Sequence, residues 1–170
     1  MPGELGIVTR PLGPVDREAV QEALDACGAF SEEEVRVALE LFDAGLAGDY
    51  VLFGAERGGR LQGYVCLGKA SLTAASWYLY WMCVHPVAQR LGLGQALQRK
   101  AEAFVRSQGG ERIVLETSGR PDYGRTRRFY EQAGYLPVGR IPDFYRPGDD
   151  CLIFSKTVDR SEQERLEASC

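Results

Sequence analysis

The stretch VHPVAQRLGLGQAL, from Val84 to Leu97, constrains the fold more than any other part of the chain. An aromatic and aliphatic run, SWYLYWMCV, leads into it and reads as a buried central strand. Pro86 ends that strand, because proline cannot continue an interior ladder. Leu93, Leu97, Ala101, Phe104 and Val105 then share one helical face, with Arg99, Lys100, Glu102 and Arg106 outside. The spacing predicts a helix from about Leu93 to Gln108, with Gly92 and Gly94 at its mouth. Glycine in a helical turn costs about 1 kcal/mol relative to alanine.

Two readings account for the glycines. They make a tight corner, or they let an anion approach bare backbone. The first helical turn leaves amide donors unpaired, and the macrodipole adds partial positive charge, so phosphate oxygens suit it. Other phosphate loops fit less well. A P-loop requires Lys and then Ser or Thr where Gln95 and Ala96 stand. A dinucleotide fingerprint places Gly or Ala where Leu97 stands, and no βαβ unit opens the chain.

The remaining segments alternate in type. Gly6–Arg10 reads as a short strand, and Pro14 opens a helix with Val15, Ala19, Val20, Ala23, Leu24 and Cys27 on one face. Ser31 with Glu32, Glu33 and Glu34 caps a second helix carrying Val35, Leu39 and Phe42, after a short corner at Gly28–Ser31. YVLFGAE and RLQGYVCLG flank a glycine turn and form a hairpin. RIVLETS is a strand, GRPDYGRTRRFYEQAGY holds a short helix ended by Gly134, and two last strands meet at RPGDD. This order is that of one α+β, or mixed α/β, domain over residues 1–158, with a polar tail at 159–170.

Composition narrows the function classes. Hydrophobic residues make up 45% and charged residues 26% of the 170, as expected of a globular chain that buries a core. No secretory leader or membrane-spanning run of ~20 residues is visible. The net charge of −4 argues against a nucleic-acid partner, and His85, the single histidine, against a conventional metal site. Five cysteines without a CxxC pair suit a reducing, cytoplasmic setting.

Val84-His85-Pro86-x-x-Gln89-Arg90-x-Gly92-x-Gly94 resembles the acyl-CoA-binding motif of the GCN5-related N-acetyltransferases, the GNAT superfamily. Phe129-Tyr130-x-x-x-Gly134-Tyr135 resembles the family's second signature, and the order of elements agrees. The resemblance implies a mostly antiparallel sheet of about seven strands, splayed between the fourth and fifth, with about four helices. It also implies acetyl-CoA as co-substrate. Gln89, Arg90, Leu91, Gly92, Leu93, Gly94 and Gln95 would form the pyrophosphate loop, and Met82, Cys83 and Val84 would pair through their backbone with the pantetheine arm. At Cys83 a buried strand residue is expected rather than a nucleophile, since no His/Asp set accompanies it.

The implied reaction is direct attack of a primary amine on the acetyl thioester in a ternary complex. Tyr130 stands at the family's general-acid position; the alternative is an aromatic that packs the short helix. Glu116, closing IVLE, resembles the glutamate base of the protein N-terminal acetyltransferase branch; the alternatives are a salt-bridged or solvated carboxylate, with a water chain as base. His85 is expected to be a spectator. Tyr123 replaces an asparagine that many members place seven residues before the tyrosine. Arg120, Arg125, Arg127 and Arg128 form a basic cluster that is either solvated or directed at CoA phosphates.

The resemblance implies a small-molecule, peptide or protein amine as acceptor, with specificity set mostly by the Gly28–Ser31 corner and the last hairpin. There Asp143, Asp149, Asp150, Phe144 and Tyr145 either meet a cationic amine or form a solvated turn. Dimers are common in the family, so a homodimer is compatible with the resemblance. The rival to an enzyme is a non-catalytic acyl-CoA-binding sensor or regulatory module.

Overall fold

The structure is a computed structural model and describes residues 6–158; the polar tail expected at 159–170 lies outside the described residues. Seven strands are present: β1 (Ile7–Pro11), β2 (Val51–Arg57), β3 (Arg60–Lys69), β4 (Ser76–Val84), β5 (Arg112–Ser118), β6 (Leu136–Arg146) and β7 (Asp149–Thr157). They hydrogen-bond in the order β1-β2-β3-β4-β5-β7-β6. Helices α1 (Arg17–Cys27), α2 (Glu32–Leu46), α3 (Leu93–Ser107) and α4 (Gly124–Gln132) complete the expected α+β architecture. The β1–β2, β2–β3, β5–β7 and β6–β7 pairings are antiparallel. The β4–β5 pairing is parallel and covers Ser76–Tyr78 against Arg112–Val114, although both strands run on.

The chain divides into two compact units, one built from the chain up to Gly68 with Leu79–Ala101, the other from Lys69–Tyr78 and the chain from Glu102 on. In the first unit Val20, Leu24, Leu39 and Phe42 of the helix pair pack with Leu52, Tyr64, Cys66 and Cys83 of the strands. Gly28, with φ of +63°, turns α1 toward α2. Ser31 then closes a capping box, its Oγ accepting from Glu34 N at 3.2 Å and its own amide donating to Glu34 Oε2 at 2.7 Å. The β2–β3 turn places Gly58 and Gly59 at positive φ, +59° and +74°, as a type I′ hairpin requires.

Two expectations for this part of the chain are corrected. Val15 is 90% exposed instead of facing the core. It sits in a 3-10 turn, Pro14–Asp16, whose tighter winding takes it off the face that α1 adopts from Arg17. Asp16 is buried in that turn and accepts from Arg10 Nη1 at 2.9 Å, Arg10 Nη2 at 2.8 Å and Gly13 N at 2.8 Å. β4, expected to be buried throughout, alternates: Trp77, Leu79 and Cys83 are buried, but Tyr78 and Tyr80 are exposed. Successive strand residues face opposite sides, and one side here lacks a full cover.

In the second unit Trp77 packs edge-on against Phe104, ring centroids 5.6 Å apart. A Cβ at Gly110 would come within 2.4 Å of Val105 and 2.7 Å of Trp77, so glycine makes that packing feasible. Glu102, expected outside, is buried and accepts from Lys156 Nζ of β7. Gly134, at φ +93°, ends α4, and Tyr135 is buried after it.

Candidate active site

Residues 85–95, within the first unit, form the candidate acyl-CoA loop. His85 caps a 3-10 turn, Pro86–Ala88, and its Nδ1 accepts from Val87 N at 3.3 Å. Nδ1 is thus engaged within its own turn. Gln89 Nε2 donates to Val84 O at 3.2 Å and ties the loop to the strand end. Arg90 and Gly92 both adopt left-handed backbone, with φ of +63° and +91°. That conformation is rare for an arginine and natural for glycine.

α3 begins at Leu93, and Ala96 N donates to Gly92 O at 3.0 Å. Among the described residues, none accepts a hydrogen bond from the main-chain amides of Leu91, Gly92, Leu93, Gly94 or Gln95. These five donors lie at the positive end of a helix of 15 residues. The packing underneath is tight. A Cβ at Gly63 would sit 3.1 Å from Cys83 O, 3.2 Å from Leu97 and 3.3 Å from Val84, so this glycine lets α3 approach the strands. No motif marked Gly63 in the sequence.

Beside the loop, a cleft of about 550 Å³ is lined by Arg57, Arg99 and Lys100 together with Leu91, Gly92 and Gln95. Among the described residues three cations and no carboxylate line it, which adds positive potential next to the unpaired amides. Arg99 and Lys100 belong to the outer face that the helical periodicity of α3 predicts, and no motif marks them. Cys83 is buried, with Sγ 3.4 Å from Ala23 O and 3.1 Å from Cys27 Sγ.

The second unit holds the two proton-transfer candidates. Tyr130 lies on α4 between Phe129 and Tyr135, centroids 5.4 and 5.6 Å away, and is buried. Burial pushes its phenol well above the ordinary tyrosine range, so it keeps its proton at neutral pH. Glu116 is exposed on β5, opposite Ile153 of β7. Near it Tyr145 donates to Cys151 Sγ at 3.8 Å. Tyr145 is exposed overall, yet partial burial first, then that contact and the charges of Cys151, Glu116 and Asp149, raise its phenol.

Residues 17–135 match the sequence family described as "Acetyltransferase (GNAT) family". The chain belongs to the GNAT acetyltransferase family. A solved GNAT-family protein from Desulfovibrio desulfuricans is 36% identical, with a TM-score of 0.86 over 91% of this chain and 100% of its own. A mycothiol acetyltransferase of Beutenbergia cavernae is 38% identical over 65 residues, 38% of this chain. The chain spans about a fifth (21%) of the length of that curated relative. The fold is also that of an aminoglycoside 6'-N-acetyltransferase solved with coenzyme A, TM-score 0.71 at 18% identity over 90% of this chain and 98% of that one.

In this GNAT chain the basic cluster and the acidic hairpin resolve into individual roles. Arg127 Nη1 donates to the carbonyls of Ser118 and Arg120, both at 2.8 Å, and so braces the turn between β5 and α4. Arg120 pairs with Asp122 and stacks 6.0 Å from the Tyr123 ring. Arg125 and Arg128 are exposed and make no ion pair among the described residues. The hairpin carboxylates are largely spent on the hairpin. Asp149 is buried and accepts from Ser118 Oγ; Asp150 holds Arg140 and accepts from Asp143 N at 2.9 Å; Asp143 Oδ1 accepts from Gly148 N at 2.7 Å. Asp143 stays exposed in the turn, whereas Asp149 is buried and Asp150 half-buried. Phe144, Tyr145 and Ile141 remain exposed there.

Proposed function

We propose that the chain is an acetyl-CoA-dependent N-acetyltransferase that acylates a primary amine by direct attack in a ternary complex. The row of amides from Leu91 to Gln95, without an acceptor among the described residues, carries the reading, because free donors at a helix N-terminus suit an anionic ligand. Arg90, Leu91, Gly92, Leu93, Gly94 and Gln95 hold the pyrophosphate, and Gln89 fixes the loop through Val84 O. The backbones of Met82, Cys83 and Val84 take the pantetheine arm in strand-like fashion. Arg125 and Arg128 are the arginines of their cluster left to meet phosphate. The co-substrate, when bound, supplies an activated acetyl thioester.

Tyr130 acts as general acid, returning a proton to the departing sulfur. Its raised pKa keeps the proton in place until the thiolate develops. Glu116 accepts the proton lost by the amine, directly or through water. A carboxylate exposed to solvent on β5 can reach an amine or a water beside it. The hairpin's exposed Phe144 and Tyr145, rather than its carboxylates, favour an acceptor with an apolar portion next to its amine. The chain through residue 158 works as one acyltransferase domain, in a cytoplasmic setting.

The test is an amine library incubated with acetyl-CoA while free thiol is followed, with products identified by mass. Thiol release that requires both protein and amine supports the assignment. Saturable binding of acetyl-CoA with no amine-dependent release identifies a non-catalytic acyl-CoA module instead. A ligand at a hundred times its Kd stabilises the fold by about 2.7 kcal/mol, so the absence of any thermal shift refutes both.

A further inference from the structure

Among the described cysteines, two meet. Cys27 closes α1, Cys83 lies near the end of β4, and their sulfurs are 3.1 Å apart although 56 residues separate them in sequence. Cys27 is half-buried and within reach of solvent, whereas Cys83 is buried. Cys27 Sγ also lies 3.4 Å from Val84 O, at the strand end that precedes the glycine loop. No step of the proposed acetyl transfer uses either thiol. Cys66 and Cys151 are buried, with no second sulfur recorded near them among the described residues.

We propose that Cys27 and Cys83 form a reversible redox pair, in which Cys27 attacks a low-molecular-weight disulfide and Cys83 resolves the adduct into an intramolecular disulfide. The first step breaks the S–S bond of the small disulfide. One half joins Cys27, and the other leaves as a thiolate that takes up a proton. In the second step Cys83 gives up its proton and attacks Cys27 Sγ, releasing the remaining half as a second thiol. Two protein thiols are oxidised, and one small disulfide is reduced to two thiols. Closing 3.1 Å to a bond of about 2.05 Å requires about 1 Å of sulfur movement, within the reach of side-chain rotation.

The contact also sets the order of attack. The 3.1 Å contact between the sulfurs lowers the pKa of the Cys27 thiol, while that same contact first, and burial after it, hold the proton on Cys83. Exposure points the same way, since a small disulfide reaches Cys27 first. The product fastens the end of α1, and with it the Gly28–Ser31 corner, to β4.

The chemistry is tested on the full-length reduced protein with glutathione disulfide at pH 8, quenched with iodoacetamide and mapped by peptide mass. The expected result is one cross-linked Cys27–Cys83 peptide pair, lost on treatment with dithiothreitol, with Cys66 and Cys151 still alkylated. Cys83→Ser should trap a glutathione adduct on Cys27, and Cys27→Ser should leave Cys83 unmodified. A wild-type protein that keeps a lasting adduct on Cys27, or alkylates both residues fully after the exposure, overturns the proposal. The wild-type map does not depend on either variant folding, and acetyl-CoA turnover plays no part in it.

Discussion

Lys156 Nζ lies 2.6 Å from Glu102 Oε1 and 2.6 Å from the carbonyl oxygen of Ala133, so one ammonium on β7 joins α3 to the C-terminus of α4. Glu102 is 9% exposed, and its second neighbour, Arg106, stands off at 3.9 Å. Lys156→Met removes the donor from a buried carboxylate and a helix-end carbonyl. The expected loss is about 1–3 kcal/mol of unfolding free energy, read by urea denaturation. A midpoint within error of wild type would show that the bridge contributes nothing.

Tyr130→Phe keeps the ring between Phe129 and Tyr135 and deletes the hydroxyl. Turnover should fall roughly a hundredfold, with the melting temperature nearly unchanged. Because burial raises the phenol's pKa, the protonated form persists through the neutral and moderately alkaline range. The wild-type kcat profile should therefore show no alkaline limb from this group below about pH 10. Full turnover in the variant at every pH would remove Tyr130 from the mechanism.

Gly92→Ala places a Cβ on backbone at φ +91°, a conformation that costs an L-residue about 1–2 kcal/mol. The added carbon meets Ile7 at 3.4 Å, ordinary contact, so the strain is one of conformation and not of space. A lower melting temperature is expected together with acetyl-CoA binding weakened by about tenfold or more, measured by calorimetry. Unchanged affinity in a folded variant would separate the glycine from ligand binding.

Asp16 reports on acid stability. Its hydrogen bonds from Arg10 and, after opposition from burial, from Gly13 hold its carboxyl below the usual value. A depressed folded-state pKa means the stabilisation is fully present above the unfolded value of about 3.9 and is lost as pH falls through the folded one. Asp16→Asn should cost about 1–2 kcal/mol at pH 7, since Arg10 is 36% exposed and partly rehydrates. The difference from wild type should shrink below pH 4. A constant difference down to pH 2 would rule out the linkage.

Tyr64 is fully buried, and its hydroxyl has no hydrogen-bond partner among the described residues. Its ring meets Phe42 edge-on at 6.4 Å, a contact that phenylalanine would keep. Tyr64→Phe should stabilise the fold by about 1 kcal/mol, seen as a raised denaturation midpoint. A destabilised variant would mean that the hydroxyl does have a partner.

The glycine loop, the capping box at Ser31 and the Gly58-Gly59 turn were legible because each rests on local backbone chemistry written in consecutive residues. The family motifs supplied the mostly antiparallel sheet of about seven strands, splayed between the fourth and fifth, but not the order of its strands. Tertiary pairings were not legible. Glu102 looked like an outward charge until Lys156, 54 residues away, was brought to it. Asp149 looked like a turn residue until Ser118 was found beside it. The meeting of Cys27 with Cys83 and the close approach at Gly63 likewise depend on packing between elements, which no periodicity encodes.

With Arg90 and Gly92 already in left-handed backbone and Gln89 fastened to Val84, the loop owes its shape to covalent geometry and its own contacts. A phosphate arriving there has little chain to freeze. Association should consequently proceed in a single concentration-dependent phase, with a small heat-capacity change from this segment, like a key entering a slot that was cut beforehand.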